Sequence, residues 1–216
     1  MRGLLITLEG IDGSGKSTVS RLLARNLSQA LPSRRLVFTA EPTNGETGHI
    51  LRARLSQTSD WNEEVSKAKR MEELFLFMAD HADHLSKIVI PSLQEGAIVI
   101  SDRYADSTAA YQGVTLRGIV PDPVEWIQSL CRPWNVLPDL TIVFALDPAL
   151  ALRRIESRAS AEKFERAEFL RDVDGNFRRL AEKEPKRFVL IDAGRKIEDV
   201  AKEALSLILG KVELSV

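Results

Sequence analysis

The most chemically specific stretch of this chain comes directly after its first apolar run, Leu4–Leu8. Gly10, Gly15, Lys16 and Ser17 fit the pattern G-x-x-x-x-G-K-[ST] between a strand and a helix. Glycines here let consecutive backbone N–H groups converge on phosphate oxygens, and the following helix adds the positive end of its dipole. The lysine can reach the terminal phosphates, and the hydroxyl can coordinate Mg²⁺. The pattern predicts a nucleoside triphosphate site over residues 10–18, formed by Gly10, Asp12, Gly13, Ser14, Gly15, Lys16, Ser17 and Thr18.

A second charged group follows another apolar run, Ala97–Ile100, where Asp102 and Arg103 stand at the end of the expected strand. An acidic residue at the carboxyl end of a strand beside a phosphate loop holds Mg²⁺ in many such proteins, so we expect Ser17 and Asp102 to bind the metal. Arg103 would face the same crevice. The chain contains no Asn-Lys-x-Asp sequence, which argues against a GTPase.

These groups need a sheet to position them, and five apolar runs predict its strands: 4–8, 36–39, 97–100, 140–146 and 188–191. The runs do not alternate with polar residues, and helical patterns separate them. This arrangement is typical of a parallel sheet covered on both faces. We expect the clearest helices at 17–31, 68–90 (ended by Pro91 and Gly96) and 197–209, with a loop or frayed helix end at 56–66. The predicted fold class is α/β, a five-stranded parallel sheet flanked by helices.

Composition excludes several classes of protein. The 216 residues carry 30 Lys and Arg against 31 Asp and Glu, a net charge of −1, so no overall charge favours nucleic acid or an anionic membrane. The single cysteine, Cys131, excludes an intrachain disulfide and is expected to be buried. No apolar run is long enough to span a membrane, and Glu9 interrupts the first run too early for a signal peptide. We expect a soluble, cytoplasmic, single-domain protein over residues 1–216.

Several segments together resemble one family. Glu9–Thr18 resembles the opening of thymidylate kinases, and Asp102–Gly113 resembles their most diagnostic segment. Leu137–Thr141 and Ile191–Ala193 are similar to the family's next strand entry and its nucleotide-base loop, and all four segments occur in the family's order. The resemblance implies a P-loop NTPase fold that transfers the γ-phosphoryl group of ATP to dTMP, giving dTDP. It also implies Mg²⁺ as cofactor and a homodimer, for which Leu74, Phe75 and Met78 would offer apolar surface.

The resemblance also implies roles for individual residues in binding the acceptor. Asp12 would contact the 3′-hydroxyl of the acceptor sugar, Phe77 would stack on its base, and Arg103 would bind its phosphate. Ser107, Thr108 and Gln112 would line the pyrimidine pocket, and further acceptor contacts are expected from Glu41, Arg52, His81 and Tyr111.

A charged segment at about 150–170 is expected to form a helical lid over the phosphates. In this family a cation from the phosphate loop or from the lid stabilises the charge on the transferred group. The residue after Asp12 is Gly13 rather than arginine, so the lid version is implied. Arg154 and Arg158 are therefore the expected catalytic lid cations, beside Lys16 and Arg103, and Arg154 and Arg195 are expected to contact ATP.

The chain departs from the family pattern on the acceptor side. The family usually has arginines at the positions of Ala40 and His81, both for the acceptor phosphate; Arg52 or Arg70 could compensate. Three alternatives follow: another pyrimidine monophosphate as acceptor, a deoxynucleoside kinase with Glu41 as general base, and an inactive nucleotide-binding regulator. His81 and His84 share a helix face and could bind a metal, although histidines that line a cleft or face solvent are commoner.

Overall fold

Five parallel strands form one sheet in the computed structural model, which describes residues 3–56, 63–156 and 167–214. The strand order is β2-β3-β1-β4-β5. All five apolar runs are confirmed as strands: β1 (Leu4–Glu9), β2 (Leu36–Ala40), β3 (Ile98–Asp102), β4 (Leu140–Ala145) and β5 (Phe188–Asp192).

Helices connect successive strands, as parallel pairing requires. In the described residues they are α1 (Lys16–Ala30), α2 (Glu46–Leu55), α3 (Glu63–His84), α4 (Ile90–Gln94), α5 (Ala105–Thr115), α6 (Pro123–Cys131), α7 (Pro148–Glu156), α8 (Ala167–Lys183) and α9 (Ile197–Glu213). The predicted helices at 17–31 and 197–209 correspond to α1 and α9, whereas the sequence analysis predicts no helix at α5 or α6.

Buried apolar side chains cover both faces of the sheet, because neighbouring residues of a strand point to opposite sides. Leu5 and Val99 belong to one cluster with Leu85, Val89 and Leu93, next to α4. The other apolar residues of β1 and β3 belong to the main core together with apolar residues of α1 and α9. The predicted two-sided arrangement is therefore confirmed.

The sequence predicts that the long central helix ends at Pro91, but in the structure helical residues continue beyond it. A π-helical turn over Leu85–Val89 joins α3 to α4, and Pro91 lies in the first turn of α4. Proline lacks a backbone N–H and is tolerated in a first turn, where that donor has no helical partner. Helical structure therefore continues to Gln94.

Only some of the apolar side chains of α3 are exposed to solvent. Leu74 is fully buried in the main core, whereas the neighbouring Phe75 is 54% exposed. The expectation that Leu74 contributes to an exposed apolar surface is therefore wrong, and Phe75 alone of this pair remains accessible.

Two expectations from composition can be compared with the structure. Cys131 is buried at the end of α6, as predicted, and burial raises the pKa of its thiol to about 11. Among the described residues, no helix combines the length and the apolar character that a membrane span requires.

Candidate active site

Three strands end at the same edge of the sheet and bring the predicted groups together. In the parallel register, Asp102 on β3 lies opposite Leu8 on β1 and opposite Ala40 on β2. The phosphate loop follows β1, and Glu41 follows β2. Open α/β sheets bind ligands at the carboxyl ends of their strands, where the connections diverge to either side.

The phosphate loop depends on three glycines with positive φ angles, +133° at Gly10, +79° at Gly13 and +92° at Gly15. A Cβ atom at residue 13 would lie 2.5 Å from the carbonyl oxygen of Ala151 in α7. Helix α7 thus packs directly on the loop at Gly13. A side chain such as arginine is excluded there both by contact and by backbone conformation.

Lys16 is buried inside this loop. Its Nζ donates hydrogen bonds of 2.9 Å to the carbonyl oxygens of Gly10 and Ile11, and one of 3.2 Å to Ser14 Oγ. Burial and the nearby Arg103 lower the pKa of the Lys16 amine to about 8. The amine lies among hydrogen-bond acceptors at the centre of the loop. A phosphate oxygen bound there would supply the negative charge that stabilises the ammonium form against the effect of burial.

Ser17 and Asp102 lie together, as the sequence predicts. Ser17 Oγ donates a 2.7 Å hydrogen bond to Asp102 Oδ2 across the gap between α1 and β3. A hydroxyl and a carboxylate provide the hard oxygen ligands that Mg²⁺ prefers, usually alongside substrate phosphates. The donor set therefore fits a magnesium ion at this point.

Arg103 holds the phosphate loop to the start of α5. Its guanidinium donates to the carbonyl oxygen of Gly10 and to Ser107 Oγ, both at 3.1 Å, and it forms an ion pair with Asp12. Tyr111 completes the group, since its hydroxyl donates to Asp12 Oδ2 at 2.9 Å. The pKa of Asp12 is below its usual value: burial would raise it, but Arg103, Lys16 and Tyr111 together stabilise the carboxylate.

Two cavities meet at this group. The first, which we call the phosphate cavity, measures about 530 Å³ and is lined by Asp12, Gly13, Gly15, Lys16, Ser17, Thr18, Arg21, Ala40, Glu41, Asp102 and Arg103. The second, which we call the base cavity, measures about 100 Å³ and is lined by Asp12, Pro42, Leu55, Phe77, Arg103, Ser107 and Tyr111. Asp12 and Arg103 line both. Phe77 is half-buried and faces this cavity, where an aromatic ring could stack on a planar base.

Glu41, which lines the phosphate cavity, forms a cluster with His81 and His84. Glu41 Oε1 accepts hydrogen bonds from His81 Nδ1 at 2.7 Å and from His84 Nδ1 at 2.6 Å. His81 Nε2 donates to Asn135 Oδ1 at 3.0 Å, and His84 Nε2 lies 2.8 Å from Thr39 Oγ1. Both ring nitrogens of His81 face acceptor oxygens, an arrangement that favours the doubly protonated imidazolium form.

The electrostatics of this cluster agree with that assignment. Burial opposes the charge on both partners, yet Glu41 raises the pKa of His81 above its usual value, and the two histidines lower the pKa of Glu41. His81 and His84 are both buried, so neither faces solvent, but His84 lines a cavity of about 860 Å³ beside the phosphate cavity, as expected of a cleft-lining histidine. The three side chains could also serve as metal ligands, but every ring nitrogen already has a protein partner.

Five residues predicted for acceptor binding do not line the base cavity, namely Glu41, Arg52, His81, Thr108 and Gln112, and neither does Arg70. His81 lies in the cluster just described. Thr108 and Gln112 are buried on α5, with Gln112 Oε1 accepting from Thr115 Oγ1 at 2.8 Å. Arg52 donates to the carbonyl oxygens of Pro42 and Thr43 and braces the loop after Glu41. Arg70 is exposed and bonds to the carbonyl oxygen of Thr115 at the end of α5.

The predicted site residues include neither Glu9 nor Asp80. Glu9 is fully buried at the end of β1 and accepts from Ser107 Oγ, and burial next to Asp106 raises its pKa well above the usual value. Asp80 is also buried, and its carboxylate accepts from the backbone N–H and hydroxyl of Thr43 at 2.7 and 2.6 Å. Glu9 belongs to the phosphate-loop segment Glu9–Thr18, which is the signal that could have found it. Asp80 stands beside His81 in the sequence, a pair that suggests a metal site rather than a contact with Thr43.

Arg154 lies on α7, where this helix packs against the phosphate loop. Its guanidinium lies 3.3 Å from the carbonyl oxygen of Ala193 and 3.5 Å from that of Gly13, between the loop and the segment after β5. Arg195 is near the same segment but pairs with Glu203 on α9. Arg158, the other expected lid cation, lies outside the described residues.

Comparisons with known proteins agree with this geometry. The family model described as thymidylate kinase matches residues 8–204. The chain belongs to the thymidylate kinase family. Proteins named "Probable thymidylate kinase" from Methanococcoides burtonii and Methanosarcina acetivorans are 46% and 48% identical to it, over 99% of this chain and 100% and 98% of their own lengths. The crystal structure of thymidylate kinase from Ehrlichia chaffeensis matches with a TM-score of 0.72 at 31% identity, covering 97% of this chain and 100% of that chain.

The family resemblance implies arginines at two positions where this chain has Ala40 and His81. Ala40 is exposed at the end of β2 and leaves its part of the cavity wall without a cation. A positive charge on His81 would be neutralised by the Glu41 carboxylate, which lies 2.7 Å from Nδ1. Neither residue therefore places a free positive charge in the phosphate cavity.

Proposed function

We propose that this protein transfers the γ-phosphoryl group of ATP to dTMP and forms dTDP. One observation carries the proposal: the phosphate cavity and the base cavity share Asp12 and Arg103 in their walls. A nucleotide whose base lies against Phe77 would thus extend its 5′-phosphate towards the phosphate loop. The family membership and the names of the relatives support the same reaction.

In this reaction the protein's own groups position substrates and balance charge. The loop amides and Lys16 would hold the donor phosphates, and Arg154 at the lid end would face the same phosphates from the other side. Arg103 would bind the acceptor phosphate, and Asp12, fixed by Arg103 and Tyr111, would accept a hydrogen bond from the 3′-hydroxyl. Phosphoryl transfer depends mainly on such positioning and electrostatic stabilisation.

Mg²⁺ is the proposed cofactor, held by Ser17 and Asp102. When bound it would neutralise charge on the donor phosphates. The 2.7 Å contact between the two oxygen groups supports this pair as its protein ligands.

Glu41 is poorly suited to be the general base that a deoxynucleoside kinase requires. Its Oε1 is bonded to two imidazoles, which lower its pKa and so weaken it as a base. A monophosphate acceptor is already an anionic nucleophile near neutral pH and needs no base. None of the comparisons supports the nucleoside kinase alternative or a different pyrimidine monophosphate.

The test is ADP release with Mg·ATP and a panel of acceptors: dTMP, dUMP, dCMP, thymidine and deoxycytidine. We expect dTMP to be the best acceptor and Arg103→Ala to reduce kcat/KM for dTMP by about 100-fold or more, since it removes a charge-assisted phosphate contact. Glu41→Gln should retain turnover of dTMP. Turnover of nucleosides but not monophosphates, lost with Glu41→Gln, would overturn the proposal.

We also propose a cytoplasmic homodimer, as the family resemblance implies. The exposed Phe75 ring on α3 supports an apolar contact on that face, and a lone cysteine is compatible with a reducing compartment. Sedimentation of the wild-type protein and of Phe75→Asp tests the dimer. A monomeric wild-type protein, or an unchanged dimer in the variant, would contradict this interface.

A further inference from the structure

Three cationic side chains line the phosphate cavity, and they differ in their contacts with the rest of the protein. Arg103 is paired with Asp12, and the Lys16 amine is enclosed by acceptors of the loop. The third cation, Arg21, lies on α1 four residues after Ser17, on the same face of the helix. A cleft that must bring together two anionic substrates requires positive charge, so the position of Arg21 is informative.

The guanidinium of Arg21 has only weak contacts. Its Nε donates to the carbonyl oxygen of Ser17 at 3.2 Å, and Nη2 lies 3.5 Å from Thr18 Oγ1. Both contacts point the side chain back along α1 towards the metal-binding hydroxyl of Ser17. No carboxylate of the described residues pairs with it, so its charge stays available in the cleft.

Arg21 also lines a third cavity, which is larger than the phosphate cavity and lies beside it. This side cavity measures about 860 Å³, and it shares Ser17, Arg21, Ala40 and Asp102 with the phosphate cavity. Arg21 thus faces Ala40, the part of the wall that lacks a cation. Pro42 lines both the side cavity and the base cavity, which places this wall on the acceptor side of the cleft.

The donor phosphates already have many partners: the loop amides, the positive end of α1 and Lys16. The acceptor phosphate would otherwise depend on Arg103, whose charge is partly neutralised by Asp12. We propose that Arg21 is a second binding residue for the acceptor phosphate, reaching it across Ala40. The inference deepens the proposed function and rests on it.

The experiment measures binding without turnover. Dissociation constants for dTMP and for thymidine are determined by calorimetry in the absence of ATP, for the wild-type protein and Arg21→Ala. Because only dTMP carries the phosphate, we expect Arg21→Ala to weaken dTMP binding about tenfold, typical of losing one contact to a charged group, and to leave thymidine binding unchanged. Unchanged dTMP binding, or an equal loss for both ligands, would overturn the proposal.

Two further variants sharpen the result. Arg25→Ala removes an exposed arginine one turn further along α1 and should alter neither dissociation constant. The double variant Arg21→Ala/Ala40→Arg places the cation on the opposite wall and should recover most of the lost dTMP affinity. Failure to recover it would contradict an acceptor phosphate beside Ala40.

Measuring the affinity for ATP shows whether Arg21 serves the donor side or the acceptor side of the cleft. If Arg21→Ala weakened binding of ATP but not of dTMP, Arg21 would serve the donor and the inference would be wrong. Failure of the proposed function gives a different result: wild-type protein would bind dTMP and phosphorylate none of it. Full turnover with unchanged dTMP affinity in Arg21→Ala would contradict the role of Arg21 alone.

Discussion

The donor side and the acceptor side of this cleft are constructed in different ways. On the donor side, the backbone of one short loop supplies the geometry, and positive φ angles at Gly10, Gly13 and Gly15 make it possible. On the acceptor side, a buried carboxylate after β2 is fixed by two histidines from α3, 40 and 43 residues away. A site formed by the backbone of one loop can be predicted from eight consecutive residues of the sequence. A site formed by side chains that are distant in the sequence depends on how the chain folds to bring them together.

The two sides also differ in how they carry charge. The donor side concentrates N–H groups and Lys16 around one point, so its positive potential is intrinsic to the loop. The acceptor side neutralises its own charges in pairs, Arg103 with Asp12 and His81 with Glu41. Substitutions should therefore affect phosphoryl transfer most on the donor side and folding stability most in the acceptor cluster.

The largest effect is expected from Lys16→Ala. The amine lies at the centre of the phosphate loop, and removing it should lower kcat by about 1,000-fold, in the range seen for loss of one electrostatic stabiliser of a transition state. Steady-state kinetics with ATP and dTMP measures this, and Lys202→Ala, an exposed lysine of α9, is the control. A decrease similar to that of the control would show that the loop backbone alone suffices.

The donor side and the acceptor side also differ in how much of their structure the sequence predicts. The strands and the phosphate loop are specified locally, by unbroken apolar runs and by glycine spacing, and all five strands are found where they were predicted. The end of the central helix was misplaced, because a π-helical turn accommodates Pro91. The burial of His81 was not foreseen, since its partners Glu41 and Asn135 are 40 and 54 residues away.

Glu41→Gln is the second prediction and tests the charge pairing of the acceptor side. A neutral amide leaves the His81 imidazolium buried without a counter-charge, so the free energy of unfolding should fall by about 3 kcal/mol near pH 6. Urea unfolding measures the loss, and Glu182→Gln, on the exposed surface of α8, serves as the control. A loss no greater than in the control would mean that the cluster holds no ion pair.

The pH dependence of that loss has a defined sign. The pKa of His81 is raised in the folded state, so its contribution is complete below the unfolded value of about 6.5 and disappears as the pH rises through the folded value. The pKa of Glu41 is lowered, so its contribution is present above about 4.5 and disappears as the pH falls through the folded value. The difference between wild type and Glu41→Gln should therefore be greatest at about pH 4.5 to 6.5 and shrink above it. A difference that grows at alkaline pH would contradict the assignment.

The third prediction compares two glycines that have nearly the same backbone conformation. Gly13 has φ +79° and Gly118 has φ +76°, but only at residue 13 would a Cβ meet another atom, the Ala151 carbonyl oxygen at 2.5 Å. Gly118→Ala should lose about 1 kcal/mol of stability, the strain of a left-handed alanine. Gly13→Ala should lose about 1 to 3 kcal/mol more and also raise the KM for ATP. Equal losses of stability would show that α7 shifts away from the loop without cost.

The smallest effect is expected from Arg195→Ala at the outer end of the donor side. Its guanidinium is exposed and pairs with Glu203, so the pair should contribute nothing measurable to the melting temperature. If Arg195 contacts ATP, as the sequence predicts, its loss should raise the KM for ATP by at most about fivefold, because solvent screens an exposed charge. Glu203→Ala is the matched control: it breaks the same pair but keeps the cation, so it should leave the KM unchanged or lower it. A similar rise in both variants would assign the effect to the ion pair and remove Arg195 from the ATP site, which would leave Arg154 as the cation that links the phosphate loop to the segment after β5.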